Sequence, residues 1–474
     1  MNPSLSLALI LALSTQTANR LAYRPTPIQK KTHHESKRIP AQSSEALALM
    51  KRTPLNMIAV NGKNLALKYC SSPTILQERA VITCSIDGQT DESTESVLGA
   101  AIEFVRVAST PGRPKVWKKG SAYVALGISS SSKPIIMNDG HVLIKVSSAY
   151  STEYTSSGLL VLDDRMKMLN ARELPRVESV NWIKQGDSVI YTTNARVNSM
   201  YPTQNNLVYL NSLGEEMDRF PIKGSILGDI LQLSEHELVL SSEYQPVPRD
   251  PNKRIAQLVF VDLSNKQSKS ALIPGSNNIQ LASRFSEKNL IASDSIGNIY
   301  EFNRVTLESR KIYSSYDALA PSITERLSEV TGSPVVGLTL DSEFSSQLMV
   351  NGSIAIVTKT NVTDGHLYLS IIQQDGSIIQ RMLFSATTGQ TATSVGLIQA
   401  QSGEEFIWVG TTGRVYVITH KGELKYTLET PRIDNPEVPV VDALTGQWWA
   451  GFGNGTVVYS TTLTPAHVDP LHFQ

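Results

Sequence analysis

Residues 406–428 read FIWVGTTGRVYVITHKGELKYTL, from Phe406 to Leu428. Two apolar runs, FIWVG and VYVIT, are hinged at Thr-Thr-Gly-Arg. A His-Lys-Gly turn then leads to a third run, ELKYTL. Apolar, β-branched and aromatic residues over about five positions, broken by glycine turns, read as strands joined by hairpins. Glycine at the hinge allows the positive φ that a tight hairpin needs.

The pattern recurs. Copies of its second strand are LLVLD at Leu159, LVYLN at Leu207, LVFVD at Leu258 and IYEFN at Ile299. Three more follow: LYLSI at Leu367, VYVIT at Val415 and VVYST at Val457. Each is preceded by another apolar run, such as SVIYTT at Ser188, ELVLSS at Glu237 or WWAGFG at Trp448, and most are followed by a turn and a more polar run. Most steps are about 40–50 residues, the length of a four-stranded unit. One such unit leaves both faces of its sheet uncovered, and ringing the units lets each cover its neighbour.

Seven copies predict an all-β chain built as a seven-bladed β-propeller with a small N-terminal α+β or all-β domain; a pair of β-sandwiches is the alternative. Over roughly residues 123–460 the chain resembles the β-propeller superfamily, nearest its quinoprotein-like and WD40-like groups. The resemblance is one of repeat periodicity. The strand ends lack the Trp-Asp dipeptide of WD40 repeats and the quinone-binding repeat. SDSIGNIY at Ser293 only grazes the sialidase box, so the resemblance implies a fold and no activity.

Lys plus Arg and Asp plus Glu are both 43, so the chain is neutral and lacks the basic footprint of a nucleic-acid binder. No apolar run reaches the length of a membrane span. Residues 1–18 read as a signal peptide. LSLALILAL (Leu5–Leu13) has the length of an apolar core and Ala18 suits cleavage, although no Lys or Arg precedes the run. The chain is therefore expected to be secreted or periplasmic. The two cysteines, Cys70 and Cys84, are expected to form a disulfide in an exported protein, and they lack the spacing of a metal or redox motif.

Residues 19–42 form a basic flexible linker, and residues 43–110 the small N-terminal domain, opened by a short helix over Ser43–Arg52. The proline-punctuated PGRPKVWKKG, Pro111–Gly120, marks the junction, and residues 121–474 the propeller. Ala122–Ile128 is expected to supply the outer strand of the last blade, because Pro465 and Pro470 discourage one after VVYST. The longest step, near residues 312–350, is expected to hold an inserted helix over Ser322–Val330, stopped by Gly332.

Antiparallel hairpins put every loop between second and third strands on one side. Those loops are long in three early units, over Ser147–Gly158, Asn194–Asn206 and Ser242–Ala256. They carry Tyr150, Tyr154, Arg196, Tyr201, Tyr244 and Arg249, residue types that dominate recognition surfaces. Asp163, Asp164, Asp341, His141, His236, His366 and His420 have no partner at a recognisable catalytic spacing. No catalytic residue, metal site or cofactor is assigned. The reading is a non-catalytic binding or scaffold module that recognises a protein or glycan partner. A polysaccharide hydrolase or lyase and an intracellular WD40-like scaffold are the alternatives.

Overall fold

The computed structural model describes residues 50–53, 57–60, 63–68, 71–76, 79–90, 97–107, 115–124, 133–150, 154–174, 182–193, 205–222, 225–244, 254–276, 278–282, 284–286, 289–332, 337–342, 344–360, 366–385, 392–400, 403–429, 437–441, 448–451 and 457–460. All belong to the unit Glu35–Gln474. The apolar run at Leu5, the basic linker, Cys70, Arg196, Tyr201 and Arg249 lie outside the described residues. Among the described residues no helix is long and apolar enough to cross a membrane.

The described chain is all-β with one helix. Six sheets are built from consecutive antiparallel strands, and in one of them an additional strand, Gln347–Leu348, pairs with Ile354–Thr360. The first strand is two to four residues long in four of the sheets and eight in the other two. Sheet I runs from Ile135–Ile136 to Met168–Leu174, sheet II from Trp182–Gln185 to Glu216–Ile222, and sheet III from Ser225–Gln232 to Gln267–Ile273. Sheet IV runs from Gln280–Leu281 to Ser309–Ser314, sheet V from Leu340–Asp341 to Ile378–Ser385, and sheet VI from Ala392–Gln399 to Leu424–Glu429. Sheet VII combines Val440–Val441, Trp448–Gly451 and Val457–Ser460 with a strand from the other end of the chain, Met50–Thr53. Each sequence marker falls in the third strand of one of these seven sheets.

The strands bury as their sequences dictate. Central strands such as His366–Ile372 and Glu405–Thr411 are buried at every position. Outer strands alternate or stay exposed, as in Glu216–Ile222 and Gln267–Ile273. A strand buried on both faces must pack against something on each. Alternate residues serve alternate neighbours. Leu143 and Val161 of sheet I pack with Val189 and Val208 of sheet II, and Ile190 and Leu207 of sheet II pack with Leu240 and Val259 of sheet III. Leu258 and Phe260 turn the other way, to Leu290 and Phe302 of sheet IV. Ile356 continues the series between sheets IV and V, and Ile407 between sheets V and VI.

The turns before the outer strands share one design. In sheets I, III and IV a side chain caps the turn: Asp163 Oδ1 accepts from the N–H groups of Arg165 and Lys167, Asp262 Oδ1 from Ser264 and Asn265, and Asn303 Oδ1 from Val305 and Thr306. The left-handed residue in these turns is Met166, Lys266 or Leu307, at φ 63°, 56° and 59°. The side-chain bonds offset the strain of a non-glycine residue there, which is about 1–2 kcal/mol.

The remaining sheet holds Met57–Val60, Lys63–Lys68, Thr74–Leu76, Arg79–Thr90, Val97–Val107 and Lys115–Val124. Its last four strands repeat the pattern of the others, with a three-residue first strand, Thr74–Leu76, beside Arg79–Thr90. Val81 and Leu76 pack against Val142, Ile144 and Leu160 of sheet I.

Three expectations are corrected here. The outer strand of sheet VII is Met50–Thr53, not Ala122–Ile128, because Ala122–Val124 is paired to Gly99–Ala101. Met50–Arg52 is strand rather than helix, since the ladder to Val458–Ser460 overrides local helix propensity. Lys115–Gly120, expected in a junction, is continuous strand. The inserted helix spans Ser315–Thr331. It is capped by Ser314, whose side chain accepts from the N–H of Asp317, and ends at Gly332, the expected stop. Its Leu319, Ala320 and Ile323 pack on Leu338, Leu340 and Tyr368.

Candidate functional site

The second and third strands of sheet I do not separate where the sequence placed a long loop. Val142–Tyr150 and Tyr154–Leu162 stay paired to their ends, with Tyr154 opposite Tyr150, so the connection is residues 151–153. In sheet III the ladder likewise runs out to Tyr244 opposite Ile255. In sheet II the strands end at Thr193 and resume at Asn205, leaving the segment that carries Arg196 and Tyr201 between them. The three sheets share one strand order, so each of these connections joins a second strand to a third. Sheets I, II and III are also neighbours through shared cores.

A second feature lies among the first strands. A cavity of about 280 Å³ is lined by residues of Thr74–Leu76, of Lys133–Ile136 and of Trp182–Lys184. These belong to the amino-terminal sheet, sheet I and sheet II. Thr74 Oγ1 donates to the Pro134 carbonyl. Lys184 Nζ donates to Ile136 O at 2.9 Å and to Asn138 Oδ1 at 2.7 Å. Lys133 is exposed, while Trp182, Ile183, Ile75 and Leu76 are half-buried. The sequence reading passed over these residues. Their only signal was a two- to four-residue apolar run before each longer strand.

Glu437 interacts electrostatically with Lys133 of the cavity wall. It receives the Ser72 N–H at 2.7 Å, and Ser72 Oγ donates to Val438 O at 2.7 Å. Burial pushes the Glu437 carboxyl above its ordinary value, against the opposing pull of the Ser72 hydrogen bonds and the Lys133 ammonium.

Three of the candidate acids and histidines have contacts within the fold. The bonds from Lys167 and Arg165 hold the Asp163 carboxyl below the usual range, as expected for a turn cap. His141 Nδ1 lies 3.0 Å from Asp139 Oδ2. The His366 N–H donates to Thr360 Oγ1 at 2.8 Å, and its ring meets Tyr368 edge-on. Asp294, buried, accepts from the N–H groups of Ile296 and Asn298, from Asn298 Nδ2 and from Tyr300 Oη. Burial raises the Tyr300 hydroxyl, which keeps it a donor to that carboxylate. Among the described residues no group of three His, Cys, Asp or Glu side chains is placed to hold a metal.

Repeated four-stranded antiparallel sheets, each covering the next, fit the blades of a β-propeller. No family model and no curated protein matches the sequence. Among solved structures the chain is similar to the C-terminal WD40 domain of Sif2, at 13% identity over 84% of this chain and 98% of that one, with a TM-score of 0.44. It is similar to the β-propeller domain of the Trilobed protease from Pyrococcus furiosus at 10% identity, over 76% of this chain and 95% of that one, with a TM-score of 0.38. The Pyrococcus horikoshii acylaminoacyl peptidase matches at 10% identity over 75% of this chain and 52% of that one, with a TM-score of 0.40.

Proposed function

We propose that this protein is an exported, non-catalytic propeller that binds a protein partner through the hairpin ends of sheets I, II and III. The carrying observation is the extension of the sheet I and sheet III ladders to Tyr150, Tyr154 and Tyr244; Arg196 and Tyr201 belong to the corresponding connection of sheet II in sequence. Loops held on a rigid scaffold are where binding is usually found. Tyr and Arg are the residue types that anchor interfaces.

In this reading the blades number eight, and the amino-terminal sheet is one of them. Its support is contact on both sides: Leu76 and Val81 against sheet I, and Ser72 against the Glu437–Val438 segment that leads into sheet VII. Closing the succession leaves no sheet face uncovered.

The test is affinity capture with the whole chain and with a Tyr150→Ala, Tyr154→Ala, Tyr201→Ala, Tyr244→Ala variant. A protein recovered only with the unsubstituted chain supports the docking face. One recovered equally with both overturns it, and recovery of glycan alone overturns the partner class. N-terminal sequencing of the mature chain tests export; an intact Met1 overturns that part.

A further inference from the structure

The cavity between the first strands carries an inference independent of the docking face. Thr74–Leu76 and Trp182–Gln185 are half-buried at every position. The intervening Ile135–Ile136 is buried at both. Ile75, Leu76, Trp182 and Ile183 therefore leave apolar surface uncovered around about 280 Å³ of space, a volume near the lower end of small-ligand sites.

The charged residues lining the cavity are Lys133 and Lys184, both cationic. The Lys184 ammonium is held by Ile136 O and Asn138 Oδ1, which fixes its position and uses two of its three donors. Glu437 is not among the lining residues; its carboxylate accepts the Ser72 N–H and also interacts with the Lys133 ammonium, so a bound carboxylate competes with it for Lys133. The Thr74 hydroxyl is spent on Pro134 O, so the wall offers little to a polyol or sugar. Apolar walls with two ammonium groups complement a ligand that is apolar along its length and negative at one end.

We propose that this cavity binds a small carboxylate with an aliphatic or aryl body. The body lies against Ile75, Trp182 and Ile183, and the carboxylate is drawn to Lys133.

Calorimetric titration of the whole protein with octanoate, and with uncharged 1-octanol, tests this. Octanoate is expected to bind saturably and about threefold more tightly than 1-octanol, the worth of one charge pair with an exposed lysine. Lys133→Gln is expected to remove that advantage and leave 1-octanol unaffected. Its thermal midpoint is measured alongside, to show that the variant is folded. Tyr150→Ala with Tyr154→Ala is expected to leave octanoate binding intact, which separates this site from the docking face. Equal binding of the two probes, an unchanged octanoate affinity in Lys133→Gln, or no saturable binding overturns the proposal.

Discussion

The backbone N–H of Ser72 donates to a carboxylate oxygen of Glu437 at 2.7 Å, across 365 positions of sequence. The two residues lead into the first strands of different sheets, Thr74–Leu76 and Val440–Val441. The contact ties the amino-terminal sheet to the segment that leads into sheet VII.

Glu437 makes that tie sensitive to pH. Burial raises its folded pKa above the ordinary value of 4.5. A folded state that binds a proton more tightly than the unfolded one is favoured as pH falls. Any stability gained through this group is complete below its unfolded pKa and lost as pH rises through the raised folded value. Glu437→Gln keeps an acceptor for the Ser72 N–H and removes the titration. The variant is expected to gain thermal midpoint relative to the wild type between pH about 4.5 and neutrality, with the gap widening upward. A gap that is constant with pH, or widens downward, contradicts this.

Much of the architecture was legible because central strands are long, apolar and followed by turns. LVFVD and VYVIT announce themselves, and Gly332 ends a helix expected over Ser322–Val330, although that helix begins earlier, at Ser315, and carries Pro321 inside it. What escaped has physical causes. First strands such as Ile135–Ile136 and Gln280–Leu281 are two residues long, too short to show alternation, and their neighbours set their register. The turns at Met166, Lys266 and Leu307 lack the glycine that would mark them, since Asp163, Asp262 and Asn303 hold them by side-chain bonds. The partnership of Met50–Thr53 with Val457–Ser460 joins opposite ends of the chain, and no local pattern encodes it. Of the site residues, Tyr150, Tyr154 and Tyr244 fall at ladder ends. The cavity depends on three sheets meeting, which one sequence does not display.

Two glycines lock neighbouring sheets together. A Cβ on Gly214 would stand 2.8 Å from Leu159 Cδ2 and 2.9 Å from Val161 Cγ2, and one on Gly422 would stand 2.7 Å from Ile379 Cγ2. In each case an arginine of the preceding sheet bonds the glycine carbonyl, Arg172 to Gly214 O and Arg381 to Gly422 O. Gly376 has a similar φ of 81° but open space where its Cβ would be. Gly376→Ala is expected to cost about 1 kcal/mol from the backbone alone. Gly214→Ala and Gly422→Ala are expected to cost about 2–4 kcal/mol, with the clash added. Urea midpoints of the three variants check the order, and equal losses would contradict the interlocking.

The cysteines test the amino-terminal sheet. Lys68 pairs with Ser85, and the Ser71 N–H donates to Thr83 O. A disulfide from Cys70 to Cys84 is expected, with no free thiol on titration of the denatured, unreduced protein. Closing a loop of about 15 residues contributes about 3 kcal/mol in the chain-entropy picture. Cys70→Ser with Cys84→Ser should lower the urea midpoint accordingly. Two free thiols in protein purified from an oxidising compartment would contradict the bridge.

The strand Met50–Thr53 is expected to act as a clasp. It pairs from Met50 opposite Ser460 to Thr53 opposite Val457 and forms the outer edge of sheet VII. A chain beginning at residue 54 exposes Val457–Ser460 as an unpaired edge, which invites pairing between molecules. Removing the strand forfeits four residues of ladder and their packing, a loss of a few kcal/mol at about 1 kcal/mol for each hydrogen bond. The truncated chain is expected to unfold at lower urea and to form dimers or larger species by light scattering. A peptide covering residues 47–56, added in excess, should restore both the midpoint and the monomer by binding the folded state. A truncated chain as stable and as monodisperse as the full one would show that the ladder at Val457–Ser460 contributes nothing to closure.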